Sequence, residues 1–289
     1  MPRGFDHIVH AVRDLDAAAE FYRRAGFTVG ARNRHEWGTH NYIVQFPAVF
    51  VELIAVGEPE LIRIGAPGTF SFGAFTRDFL TREEGLAMLV LEGKDAAADA
   101  TAFRAAGIGD FKVFNFERDG KRPDGSLVRV AFSLAFATDT KAPDIGYFTC
   151  QQHHPENFWN PAFQTHPNDV TTIAGVIIVS EQPDAHRQFV STFSAVDEVQ
   201  SNAAGITVKT PRGEITVVNP TAYRALTGSE PPDLARGARL AAIRFAVDDR
   251  SDALSVLAKA GIATAARNGA AVVPAGETYG ATLIFERAK

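Results

Sequence analysis

Residues 5–29 read FDHIVHAVRDLDAAAEFYRRAGFTV, and their pattern changes period halfway along. In the first half Phe5, His7, Val9 and Ala11 alternate with Asp6, Ile8, His10 and Val12, the period of a strand. In the second half Asp14 can accept a hydrogen bond from a free helix N–H, and Leu15, Ala18, Ala19 and Tyr22 recur at helical spacing. Arg23 and Arg24 suit the negative end of that helix, and Gly26 suits the left-handed residue that stops it. Strand patterns follow at 41–46 and 49–56 around Pro47, which cannot donate to a ladder. With a further strand near 28–34, the unit is βαβββ.

The same unit recurs three times. Residues 86–108, LAMLVLEGKDAAADATAFRAAGI, place Asp95 and Gly107 each 81 positions after Asp14 and Gly26. Strands are predicted at 110–117, 127–137 and 145–152, with a turn at 121–126 (KRPDGS). Residues 172–196 begin a third copy with Pro183 at the helix start, and strands ITVKT and EITVVN follow. Residues 239–264 begin a fourth, capped by Asp249 or Ser251 and stopped at Gly261, with AAVVPA and ATLIFERA as strands. Four copies predict an α+β chain of two duplicated domains, 1–155 and 171–289, joined by a linker at 156–170 that packs on the first. Residues 57–84 and 153–171 stand outside the repeat, and 224–237 reads as a polar loop.

Composition narrows the partner. The 289 residues are 46% hydrophobic with a net charge of −5, enough apolar material for two cores and no basic cluster for nucleic acid. No apolar run is long enough to span a bilayer, and the opening MPRGFDHIVH lacks a signal peptide's apolar stretch, so a cytoplasmic protein is expected. The single cysteine, Cys150, makes no internal disulfide and reads as a small buried hydrophobe. No phosphate-binding glycine loop occurs, so no nucleotide cofactor is expected. The 22 Phe residues read first as core.

Several stretches together resemble the vicinal oxygen chelate superfamily, and within it the glyoxalase-like-domain proteins. They are residues 5–27, GTHNYIVQF (38–46), VFVELIAV (49–56), CQQHHPENFW (150–159) and THPN (165–168). The resemblance covers about residues 5–180. It implies paired βαβββ modules around a cupped metal or ligand site. It also implies that His7 is the metal ligand of the first strand, and that Glu52 is the last-strand carboxylate, a ligand or general base. For Glu52 the plain alternative is a structural partner such as Arg32, Arg34 or His35. By module symmetry position 151 or 153 corresponds to Glu52, so His7, Glu52 and His153 form the expected ligand set for Zn, Fe or Mn. The 81-residue offset puts Met88 opposite His7, so a fourth ligand is missing.

Thr39, Asn41 and Gln151 are expected to orient a substrate. The resemblance implies a divalent-metal-dependent lyase, isomerase or dioxygenase of a small oxygenated metabolite, with Glu52 catalytic. The alternative is a non-catalytic binding protein of the drug-sequestering type, using the same Phe-lined cup. Copies three and four carry no ligand at the His7 position, so the C-terminal half reads as degenerate and structural, or as the interface of a homodimer.

Overall fold

A computed structural model describes residues 1–121 and 126–288. The predicted turn at 121–126 has its centre outside the described residues. The N-terminal half runs β1 (Phe5–Ala11), α1 (Leu15–Arg24), β2 (Asn33–Arg34), β3 (Thr39–Phe46), β4 (Val49–Val56), α2 (Phe72–Leu80), β5 (Gly85–Glu92), α3 (Ala96–Ala105), β6 (Phe114–Lys121), β7 (Leu127–Ala137) and β8 (Gly146–Gln152). A one-turn α4 (Pro155–Phe158) precedes β9 (Val170–Val179), α5 (Arg187–Ser194), β10 (Val199–Asn202), β11 (Gly205–Lys209) and β12 (Glu214–Val218). The chain ends with α6 (Pro220–Thr227), β13 (Arg239–Val247), α7 (Arg250–Lys259), β14 (Ala265–Arg267), β15 (Ala270–Val273) and β16 (Thr282–Arg287).

These strands form two eight-stranded sheets of identical plan, β2-β3-β4-β1-β5-β8-β7-β6 and β10-β11-β12-β9-β13-β16-β15-β14. Each joins two βαβββ modules through an antiparallel pair, β1 with β5 and β9 with β13. The expected α+β chain of four modules in two domains is what the strands build. Local chemistry accounts for the repeat: Asp14, Asp95 and Asp249 each accept a backbone N–H at a helix start. Gly26, Gly107 and Gly261 each stop the helix at positive φ.

The helix-bearing faces of the two sheets share one core. Phe27 of the first half meets Phe245 and Phe285 of the second at 5.0 and 6.1 Å. Tyr147 packs edge-on to Phe189 and Phe193. Polar clamps cross the same boundary. Buried Asp144 takes Arg82 at 2.7 Å and Arg236 at 2.8 Å, with Arg239 at 3.8 Å. Asp139 holds His186 at 2.5 Å, and the other ring nitrogen of His186 meets Ser180 at 2.9 Å. Gly280 (φ +84°) lies so close to the Glu84 carbonyl that a Cβ there would stand 2.0 Å from the oxygen.

Three local expectations change. Residues 57–84 contain α2, which Ser71 caps and which lays Phe72 and Phe79 against the concave face of the first sheet. The supposed loop at 224–237 begins inside α6, and its later part docks on the first half through Arg236 and the Ala238–Lys141 backbone bond. Phe5 does not share a face with His7, because the β1–β5 register shifts between them and turns Phe5 into the helix-side core. Among the described residues no helix is long and apolar enough to cross a membrane.

Candidate functional site

The concave face of the first sheet is a cup. β1 turns His7, Val9 and Ala11 into it, and the neighbouring parallel strand β4 turns in Phe50, Glu52 and Ile54. Phe148 and Cys150 of β8, Phe132 and Leu134 of β7, and Phe116 and Arg118 of β6 face them from the second module. The enclosed volume is about 60 Å³. It lies beside two wider clefts, of about 1040 and 390 Å³, and Arg118 borders all three spaces. Sequence reading placed the Phe residues in the core. Many instead form a wall, with Trp37 stacked on Phe72 and edge-on to Phe116.

Within this wall lies a short polar array. The Asp6 carboxylate accepts the His7 Nδ1–H at 2.6 Å, and its other oxygen accepts from Gln152 Nε2 at 2.9 Å. That bond assigns the Nδ1–H tautomer and leaves Nε2 as an acceptor aimed into the cup. Phe50 stacks on the His7 ring at 4.3 Å and holds its plane. Glu52 Oε2 stands 3.8 Å from His7 Nε2, beyond a direct hydrogen bond. Glu52 Oε1 accepts from Asn41 Nδ2 at 2.5 Å and lies 4.0 Å from His35 Nε2. His35 meets Thr39 Oγ1 at 2.9 Å and stacks on Trp37 at 4.5 Å. Burial lowers the pKa of His35 to about 4 despite the nearby Glu52 charge, so its ring is neutral at pH 7.

The structure thus brings His7, Glu52 and Asn41 together. Asn41 has both ends engaged, because its Oδ1 accepts from Asn33 at 3.0 Å while its amide holds Glu52. It positions the carboxylate instead of waiting for a substrate. Thr39 is fully buried and positions His35. Of the structural partners weighed for Glu52, Arg32 pairs with Asp16 and Arg34 with Glu58, leaving His35 beside it.

Gln151 and His153 fall on the other face of β8. Gln151 Oε1 accepts the Ala96 N–H at the start of α3, and exposed His153 binds Ser133 Oγ at 2.7 Å. The register explains this. Val9 pairs with Glu52, and its 81-residue mate Val90 pairs with Phe148, so Phe148 occupies the symmetric place of Glu52. Counting from the strand end put that place three to five residues too late. Alternation along β8 then carries 151 and 153 outward.

Asp6, Trp37 and Arg118 were missed. Asp6 reaches His7 only because of the β1 irregularity, which alternation does not reveal. Arg118 was legible, since Phe114, Phe116 and Arg118 share one alternating face of β6. Cys150 lines the cup, and burial with the neighbouring Asp6 and Glu52 charges pushes its thiol pKa well up, which keeps it unreactive.

A family model for the glyoxalase-like domain matches residues 5–193. The chain belongs to the glyoxalase-like domain family. A crystal structure of a hypothetical protein from Staphylococcus aureus is similar to this glyoxalase-like chain with a TM-score of 0.68 and 14% identity, over 100% of both chains. A mutant of 4-hydroxymandelate synthase from Streptomyces coelicolor is similar with a TM-score of 0.54 and 13% identity, over 93% of this chain and 78% of that one. Both likenesses concern the fold. A search of curated proteins found no match to the sequence.

A divalent ion is the group this fold implies, and the donors present do not fit a resident one. His7 and Glu52 are suitable types, yet Met88 and Phe148 stand at the two symmetric positions. Among the described residues no three His, Cys, Asp or Glu side chains are placed to hold a metal ion. The two imidazoles near Glu52 lie against different oxygens, 3.8 and 4.0 Å away, so the carboxylate sits between them. The second domain's concave face differs again, being filled by Tyr223 and by Arg244 paired to Glu214 and Glu286.

Proposed function

We propose that the N-terminal cup binds a small, mostly apolar oxygenated molecule and moves a proton on it, a lyase- or isomerase-type step with Glu52 as base. The supporting observation is the pair of acceptors, His7 Nε2 and Glu52 Oε2, held 3.8 Å apart with no donor from the described residues between them. Two acceptors at that spacing in an apolar wall are satisfied when a hydroxyl or another acidic hydrogen enters between them. Glu52 takes the proton of the bound molecule. His7, oriented by Asp6, accepts a hydrogen bond from the same molecule, and the protonated Glu52 returns its proton at a neighbouring atom. Asn41 holds the carboxylate in register, and the aromatic wall excludes water, which strengthens each of these contacts.

The second reading is binding without turnover, favoured by Met88 and Phe148 where further polar groups would complete the cup. The test is proton exchange in D2O, followed by ¹H NMR, over a panel of hydroxycarbonyl compounds and 2-oxo acids. Wild-type protein purified without added metal is expected to wash out the acidic C–H of a bound compound, and Glu52→Gln to lower that rate by about 100-fold or more. Binding without exchange would leave the second reading standing. Stoichiometric metal in the wild type that is lost in His7→Ala would overturn the metal-free scheme.

A further inference from the structure

The cup has a charge pattern that its own side chains do not close. Among the described residues Arg118 is the only lysine or arginine on its wall, and Glu52 the only carboxylate. Every partly buried arginine that clamps the two domains has an acidic partner: Arg3 has Asp99, Arg212 has Glu92, and Arg239 has Glu83. Arg244, inside the second domain, has two. Among the described residues no carboxylate lies within ion-pair distance of Arg118, which donates a long 3.4 Å bond to the Asp119 carbonyl. Burial lowers the Arg118 pKa below its ordinary value even with Glu52 nearby, the direction expected of a guanidinium short of an anion.

A second group points the same way. Trp37 Nε1 is buried against the cup and has no acceptor among the described residues. An indole N–H can only donate, so what satisfies it must carry a lone pair. Asn41 holds Glu52 Oε1, and Oε2 is the oxygen turned to His7. The unmet needs at the mouth are therefore for an acceptor and a negative charge, while the wall below asks for apolar surface.

We infer that the molecule bound in this cup is a compact apolar monocarboxylate whose anionic head lies between Arg118 and the Trp37 indole, with its ring or branched body against Phe72, Phe116 and Phe132. The inference rests on the reading of the cup as a ligand site and adds the chemical class of the ligand. The guanidinium fork matches two carboxylate oxygens, and its position bordering both outer clefts lets the head remain at the mouth while the body enters. A cationic ligand of the same shape would meet Arg118 with like charge.

Phenylacetate, phenylacetamide and phenethylamine share one shape and differ in charge. Titration calorimetry of the full chain is expected to show phenylacetate binding about tenfold or more tighter than the amide, with the amine weakest. Arg118→Gln should bring the acid down to the affinity of the amide and leave the amide unchanged. Trp37→Phe, which keeps the ring and removes the N–H, should weaken the acid by a smaller factor. Equal affinity for acid and amide in the wild type, or tighter binding of the amine, would overturn the carboxylate assignment and leave the cup as a ligand site. Failure of all three compounds to bind would overturn the ligand-site reading together with it.

Discussion

His10 shows at the residue scale how one strand serves two purposes. It neighbours His7 in sequence but points away from the cup, donating Nε2–H to the Tyr279 carbonyl at 3.0 Å and accepting from Tyr22 Oη at 3.0 Å. Burial lowers its pKa from 6.5 to about 4, opposed by the Tyr279 carbonyl and Glu84. A histidine held neutral in the fold makes its full contribution above its unfolded pKa. Between pH 6.5 and about 4 the unfolded chain binds the proton and the folded chain does not, so stability falls as pH falls through that window. The loss from His10 alone is about 3 kcal/mol by pH 4, and His35 adds a loss of the same sign. Urea midpoints at pH 7, 5.5 and 4 measure it. His10→Asn should be less stable at pH 7 with a flatter pH dependence, and an equally steep one would refute this account. The need for a buried neutral ring at position 10 was invisible in sequence, where the two histidines of FDHIVHA differ only in face.

At the scale of elements β8 is the instructive case. Its odd positions serve α3 and its even positions serve the cup, and Gln151 accepts an N–H that the first turn of α3 would otherwise leave free. Gln151→Ala should cost about 1 kcal/mol in chemical denaturation. The same change should leave phenylacetate affinity unaltered. A large loss of affinity with unchanged stability would place Gln151 in the cup after all. The helix repeats were legible because caps and stops are local: an aspartate meets an N–H two or three residues on, and a glycine meets its own φ. The pairing of last strands was not legible, because register depends on which residue of β5 lies against β8. That is a long-range matter, and an error of a few residues reverses the face.

For the molecule as a whole, the clamp on Asp144 matters most. This carboxylate is buried and belongs to the first half, while Arg236 and Arg239 belong to the second. Asp144→Ala removes the partner of Arg82 and Arg236, leaves the largely buried Arg239 with Glu83, and should cost about 1–3 kcal/mol. Differential scanning calorimetry should show the whole transition moving down together, since the two sheets share one helix-side core. Survival of an unshifted transition for either half would contradict that shared core. The two halves are alike in plan and unlike in chemistry. In the first the concave face keeps Glu52 and Arg118 free of each other, and in the second Arg244 closes on Glu214 and Glu286.

The sequence by itself determined the modules, their number, and their caps and stops, because these follow from periodicity and near neighbours, while the family resemblance pointed to the pair His7 and Glu52. Tertiary structure alone decided what surrounds that pair. It brought Asp6 to His7 through a strand irregularity and set His35 and Asn41 about Glu52. It placed Phe148 where a further ligand was sought and aimed Arg118 at the mouth from a strand more than sixty residues away. The physical reason is that local hydrogen bonds depend on residues a few positions apart, whereas a site depends on the register of strands that the chain brings together only when it folds.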